Sequence, residues 1–200
     1  MAGVLRMNSW GEPVLFNVEQ ELYPLVKAFL NLEFYERVRP RLGSMSLIVE
    51  EISRVAGSKS GRWTRPDLAA VGITRPKYST SIKIDLYSFE VKLPTTVDAL
   101  AVHEALAHKS FVNYSFLVWN RSAITDKKLQ EIEWSCKEHS VGLVVAHNPV
   151  NASHYEIRHF PERKELSSNL SDEFIEERFS SVGKKKILET IERMASVNLP

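Results

Sequence analysis

The chain has a single cysteine, Cys136, in 200 residues. That excludes an internal disulfide and a cysteine-built zinc cluster. It also makes a reducing compartment, the cytoplasm, the expected location. No apolar stretch approaches the roughly 18 residues needed to span a bilayer, so no membrane partner is expected. The start, Met1-Ala2-Gly3-Val4-Leu5-Arg6, has no long apolar run after a basic cluster, which points away from a secretory signal. The four Asn-x-Ser sequons, at Asn113, Asn120, Asn151 and Asn169, are then chance matches. Net charge is nearly absent as well: 26 Lys and Arg against 25 Asp and Glu leave +1. A nucleic-acid surface, if present, must be local.

What is present is an ordinary globular balance, 44% hydrophobic and 26% charged, which can fill a core. The length suits one domain, or one domain with a helical appendage. The most informative stretch runs from Arg62 to Lys92. Its two ends, Asp67 to Val71 and Ile82 to Lys92, alternate apolar and β-branched residues at period two and read as strands. Between them lies the polar loop Thr74-Arg75-Pro76-Lys77-Tyr78-Ser79-Thr80-Ser81. In an antiparallel hairpin the numbers of opposed residues sum to a constant. Setting Asp67 against Glu90 centres the turn between Tyr78 and Ser79, inside that loop. Two distant carboxylates then meet on neighbouring strands, about 5 Å apart at the backbone. Glu90 and Lys92 share one face, while Phe89, Val91 and Leu93 take the other. An acidic pair beside a lysine at a sheet edge suits a divalent cation.

Pro66-Asp67 followed by Glu90-Val91-Lys92 after a strand–loop–strand interval resembles the signature of the PD-(D/E)xK nuclease superfamily, the restriction-endonuclease-like fold. The flanking apolar strands and the helix that follows support the likeness, which covers roughly residues 19 to 160. It implies an α/β fold, a mixed central sheet flanked by helices; residues 161–200, where the composition shifts, read as a C-terminal helical extension of the same domain. It further implies Mg²⁺, with Mn²⁺ as substitute, held by Asp67, Glu90 and the backbone carbonyl of Val91. Lys92 then orients the attacking water or stabilises the charged transition state. The first helix of the superfamily often offers a glutamate to the metal. Glu21 is the candidate and Glu19 the alternative, although both also suit the positive end of a helix. The implied substrate is DNA, the implied activity that of an endonuclease of restriction or defence type, and a homodimer would suit cutting both strands. The competing expectation is a catalytically silent nucleic-acid- or protein-binding module with the same fold.

The remaining elements follow from spacing. Leu22, Leu25, Val26, Phe29 and Leu30 recur as on a helix, with Pro24 in its first turn. Phe34 to Arg41 reads as a first strand or a loop. Ser46 to Ala56 has helical spacing in Leu47, Ile48, Ile52 and Val55. The segment Gly57 to Arg62 is basic but lacks the phosphate-loop pattern. Lys59, Arg62 and Arg65, with Trp63, precede Asp67 closely enough to contact a phosphate backbone. A helix is expected from Thr95 or Thr96 to Ser110. It carries His103-Glu104-Ala105-Leu106-Ala107-His108, a near miss of the zinc-protease motif with histidines five apart rather than four. Glu104 and His108 are four apart and share a face; the resemblance, in which polar residues of this helix approach the lysine or the scissile strand, makes them candidates to support Lys92, the alternative being a satisfied polar pair on a partly buried helix. Val112 to Trp119 and Val141 to Ala146 read as buried strands around a helix from Asp126 to Ser140, and Tyr155 to Phe160 as an edge strand. Cys136 reads as packing. Two further helices follow Pro161, the second from about Lys184, interrupted at Gly183.

Overall fold

The computed structural model describes residues 4–7, 13–16, 18–53, 65–120 and 125–196. Two short strands, β1 (Val4–Met7) and β2 (Pro13–Phe16), form an antiparallel hairpin. A 3₁₀ turn (Glu19–Leu22) leads into α1 (Tyr23–Phe29), a π turn (Leu30–Phe34) and α2 (Tyr35–Val38). The main sheet then begins with β3 (Gly43–Glu51), β4 (Leu68–Pro76) and β5 (Lys83–Lys92). Helix α3 (Ala99–His108), β6 (Tyr114–Asn120), α4 (Asp126–Glu138) and β7 (Gly142–Ala146) continue it. β8 (Tyr155–His159) closes the sheet, and α5 (Ser168–Arg178) and α6 (Ser181–Ser196) end the described chain.

The six strands run in the order β3-β4-β5-β6-β7-β8. β3, β4 and β5 pair antiparallel; β5, β6 and β7 pair parallel; β8 returns antiparallel. Parallel neighbours need a crossover, which α3 and α4 supply. The chain is therefore a mixed-sheet α/β fold, as the sequence reading expected at that level. Among the described residues no helix is long and apolar enough to cross a membrane.

Strand alternation sorts the core into two layers. Leu68, Ala70, Tyr87, Phe89, Val91, Phe116, Val118 and Val144 face α1 and the π turn, where Phe34 packs edge-on against Tyr87, Phe89 and Phe116. Ala69, Val71 and Leu86 face α5 and α6, while Leu117, Trp119, Leu143 and Val145 face α3 and α4. The interior strands β4 to β7 are buried almost throughout, whereas β8 alternates buried and exposed as an edge strand does.

Four expectations need correction. Ser46 to Glu51, read as helical, is the outer strand β3, paired along its length with β4. Leu47 and Ile48 fit either period, and pairing with the apolar β4 decides for the strand; residues 54–56 lie outside the described residues. Phe34 to Val38, read as strand or loop, is helical, and Arg39 turns extended ahead of Pro40. Gly183 does not interrupt the last helix: α6 runs through it, and the missing side chain leaves room for the Glu50 carboxylate. Helix α3 also starts later than Thr95, because Asp98 accepts a hydrogen bond from the Ala101 amide at 3.1 Å and caps it there.

Candidate functional site

The β4–β5 hairpin fixes the geometry. Leu68 pairs with Phe89 and Thr74 with Lys83, both with the same sum, so one residue further on Asp67 meets Glu90. The predicted register is the observed one. Asp67 precedes β4 at the end of the sheet where β5 and β6 finish. Its carboxylate is held on both oxygens. Oδ2 accepts from the backbone amide of Val91 at 2.8 Å, and Oδ1 accepts from the Tyr23 hydroxyl. Val91 thus touches Asp67 through its N–H.

Lys92 is the centre of an acidic cluster. Its ammonium lies 2.7 Å from Glu90 Oε1, 2.8 Å from Glu104 Oε2 and 3.7 Å from Glu19 Oε2. Glu104 comes from α3, whose last residue, His108, places Nε2 3.9 Å from Glu90 Oε2. Glu19 comes from the 3₁₀ turn and also accepts from the Thr96 hydroxyl at 2.7 Å. Both helical candidates, Glu104 and His108, therefore lie beside the strand carboxylate and lysine. Of the two early glutamates, Glu19 reaches the cluster, whereas Glu21 is exposed. The local reason is helical: residues 19 and 23 are one turn apart, so Glu19 and Tyr23 aim at the sheet end together. Tyr23 is the residue that sequence reasoning passed over. Its spacing from Glu19 was the available signal, but its ring reads as core.

Arg65 is half-buried, with Nη1 3.4 Å from the Ser53 carbonyl. Lys59 and Arg62 lie outside the described residues.

Burial, and after it the neighbouring charges, shift the titrations. Burial raises the Asp67 carboxyl to about 6, although the Tyr23 hydroxyl, the Val91 amide and Lys92 oppose the rise. Burial, and then the neighbouring Asp67 charge, raises Glu90 to about 8. For Lys92 burial acts downward, but Glu90, Glu104 and Glu19 outweigh it and hold the ammonium firmly protonated. Burial, and then the Lys92 charge, lowers His108 to about 3, so it is a neutral imidazole. One ammonium thus faces four carboxylates in a mostly buried setting. Such a donor set, all oxygen and short of positive charge, fits a hard divalent cation. Among the described residues no three His, Cys, Asp or Glu side chains already converge as a ready-made ion cage. Mg²⁺ retains several waters and needs few protein ligands, so Asp67 and Glu90 suffice for a first shell.

An open groove lies elsewhere, about 840 Å³ between the start of α3 and α4, lined by Asp98, Lys128, Ile132 and the exposed Trp134, and it contains none of the cluster residues.

No family model matches the sequence. No curated protein matches it either. One solved structure that it resembles is a protein of unknown function from Silicibacter pomeroyi, 13% identical, over 76% of this chain and 84% of that one, with a TM-score of 0.41. A likeness of that degree carries no argument about function.

Proposed function

We propose that this chain is a metal-dependent nuclease of the PD-(D/E)xK kind, with the restriction-endonuclease-like form of the α/β fold, that hydrolyses DNA phosphodiester bonds. An endonuclease of restriction or defence type is the reading we favour, and a homodimer would serve cleavage of both strands. The observation that carries the proposal is the meeting of Asp67 and Glu90 across adjacent strands with Lys92 beside them. Asp67, Glu90 and the Val91 carbonyl would hold Mg²⁺ or Mn²⁺. Such an ion, when bound, acidifies water and neutralises charge on the phosphoryl and leaving oxygens.

The protein's own groups supply the rest. Tyr23 and the Val91 amide each hold one oxygen of the Asp67 carboxylate, and each oxygen keeps a further lone pair with which it could meet an ion. Lys92, permanently charged, stabilises negative charge that develops on phosphorus-bound oxygens. Glu104 and Glu19 hold that ammonium in place and offset part of its field. Neutral His108 backs Glu90 without adding a competing cation. The test is nicking of supercoiled plasmid with Mg²⁺ or Mn²⁺, set against Lys92→Ala. Cleavage by the parent and none by the variant supports the enzyme. Equal inertness of a folded parent across both metals sinks it.

One observation favours a second reading. Lys92 already neutralises Glu90 and Glu104, so the cluster can persist as a metal-free structural unit. A catalytically silent nucleic-acid- or protein-binding module would look the same. Inert protein that still retards DNA would select it.

A further inference from the structure

At the end of the sheet opposite Lys92, charge is distributed the other way round. Arg75, near the end of β4, is only 9% exposed. Its Nη1 donates to the Met194 carbonyl near the end of α6. Arg193, beside Met194, donates from Nη2 to the Ser46 hydroxyl at 3.2 Å. Among the described residues neither guanidinium has a carboxylate partner. A groove of about 350 Å³ opens between them, lined by Ser44, Met45, Ser46, Arg75, Arg193 and Met194. Among the described residues no acid lines it. One ammonium faces several carboxylates at Lys92; here two guanidiniums share a groove with none.

The strand register explains how these groups meet. Ser44 pairs with Arg75 and Ser46 with Ile73, and opposed residues share a face. Residues 69, 71, 73 and 75 also share a face. Ala69, Val71 and Ile73 pack in the layer of α5 and α6, so Arg75 turns the same way and reaches the end of α6. A cation that caps a helix end is the simpler account, and it covers part of the arrangement. A helix C-terminus carries about half a negative charge, so two guanidiniums exceed it by about 1.5 charges. A guanidinium has five N–H donors, and the Met194 carbonyl takes one from Arg75. Neither Nε nor Nη2 of Arg75 is a buried atom without a partner, so both keep access to the groove that Arg75 lines. A buried charge is costly without an opposite charge or enough hydrogen bonds, which an anion in the groove would supply.

We propose that this groove is a binding site for a small phosphate monoester, clamped between the β3–β4 strands and the end of α6. A phosphate monoester carries about two negative charges at neutral pH and three terminal oxygens. Each arginine fork can take two oxygens, and the hydroxyls of Ser44 and Ser46 add donors. A carboxylate, with one charge and two oxygens, would leave one fork idle. The volume exceeds that of phosphate alone and leaves room for an organic group. Arg75 lies eight residues beyond Asp67 along the strand, about 26 Å at 3.3 Å per residue. The site is therefore separate from the Asp67–Glu90 pair and does not rest on the nuclease reading. Its donors come from two strands and a helix, so a bound anion pins α6 to the sheet and stabilises the fold.

The test uses the whole chain stripped of metal, so that no ion at Asp67 and Glu90 recruits phosphate. Melting temperature is followed with inorganic phosphate, a nucleoside 5′-monophosphate and acetate, each at matched ionic strength. Backbone amide NMR shifts locate the response. Phosphate and the mononucleotide should raise the melting temperature with concentration and shift the amides of Ser44, Ser46 and Arg193, and acetate should do neither. Arg193→Gln, at an exposed position, should weaken both ligands about 10- to 100-fold, the loss of one hydrogen bond to a charged group. Arg75→Lys keeps the charge, loses the fork and should weaken them similarly. If Arg75→Lys does not fold, Arg193→Gln and Ser44→Ala carry the test. A parent indifferent to phosphate overturns the proposal. Equal stabilisation by acetate does so too, as does an undiminished response in Arg193→Gln. A 5′-phosphorylated oligonucleotide, set against the same strand without that phosphate, separates the sources of the group. A response that needs Arg193 for the oligonucleotide alone overturns the small-ligand assignment.

Discussion

Two strand glutamates, Glu50 and Glu90, flank β4 on either side and could hardly be treated more differently. Glu50 on β3 is met by the end of another element. Ser180 donates to it through both its amide, at 2.9 Å, and its hydroxyl, at 2.8 Å, and Gly183 leaves room for the carboxylate at the start of α6. Negative charge at a helix N-terminus is favourable, so every part of that arrangement lowers the energy of the fold. Glu90 is packed beside a second carboxylate and shares a single lysine with two others. The first glutamate builds the protein, docking its C-terminal helices on the sheet. The second is held against its own preference, which is the feature that the proposed nuclease reading uses.

The sharpest way to break this comparison is to neutralise each side. Lys92→Ala should lower metal-dependent plasmid cleavage by about 10²–10³-fold or more, the range seen when one group that stabilises developing charge is lost. Its effect on folding should be mixed, since it also leaves Glu90 and Glu104 unpaired. Glu90→Gln should abolish cleavage with little loss of stability. Glu50→Ala should do the reverse: unfolding free energy falls by about 1–3 kcal/mol while the cleaving site keeps its chemistry. Chemical denaturation and the nicking assay, run on all three, read the difference. Activity loss in Glu50→Ala without a stability change would erase the contrast.

A smaller loss is expected at Gly183. A Cβ there would collide with the Glu50 carboxylate. Gly183→Ala forces that carboxylate aside, and the helix-propensity gain of alanine, about 1 kcal/mol, works against the loss. The net should still be destabilising in equilibrium unfolding, and a stabilised variant would show that the carboxylate can move freely.

How much of this was legible beforehand follows from where the information resides. The hairpin register was readable because the polar loop between the strands centres the sum, and Asp67 and Glu90 then had to meet. Strand periods made β4 to β8 readable for the same reason. β3 was not, because Leu47, Ile48 and Ile52 satisfy both periods and only pairing with β4 decides. Glu19 and Glu21 could not be ranked without knowing the exact helical phase of the 3₁₀ turn, which sets which one faces Lys92. Tyr23 is invisible in one dimension, because its meaning lies in the hydrogen bond it makes to Asp67. The same limit hid the role of Gly183, which needed Glu50 from a strand 133 positions earlier in the numbering.

The pH dependence of stability sharpens the comparison further. Asp67 and Glu90 titrate in the folded protein near 6 and 8, above their ordinary values of 3.8 and 4.5. The folded state therefore binds more protons than the unfolded state between those limits. The sign is that the pair's contribution to stability is full below about pH 4 and is lost as pH rises through 8. Glu133, held low by Lys137 and then Arg158, works in the opposite sense below that window, and His108, lowered from 6.5 to about 3, works in the opposite sense inside it up to about pH 6.5. The melting temperature in chelator should thus decline most steeply between about pH 6.5 and 8, where His108 no longer opposes the two acids. Glu90→Gln should flatten the decline, and Mn²⁺ should reverse it by favouring the ionised carboxylates. A flat profile in the parent would mean that the two acids do not crowd each other.

The least severe change is Tyr23→Phe, which removes one oxygen and leaves the ring in the core. The hydroxyl donates to Asp67 Oδ1, and the Val91 amide still holds Oδ2 at 2.8 Å after the change. Asp67 should then swing about its remaining bond rather than collapse. Groups that orient a metal ligand typically contribute 10–100-fold to affinity. With the second tether intact, the lower end is expected, about tenfold weaker Mn²⁺ binding by titration calorimetry. Because the carboxylate also loses a bond that favours its charged form, binding should recover partly at higher pH. Tyr23→Ala opens a hole beside Leu22 and Phe16 and should cost stability as well, which separates the ring's packing from the hydroxyl's aim. Equal Mn²⁺ affinity in the parent and Tyr23→Phe would show that the Val91 amide alone sets the position of Asp67.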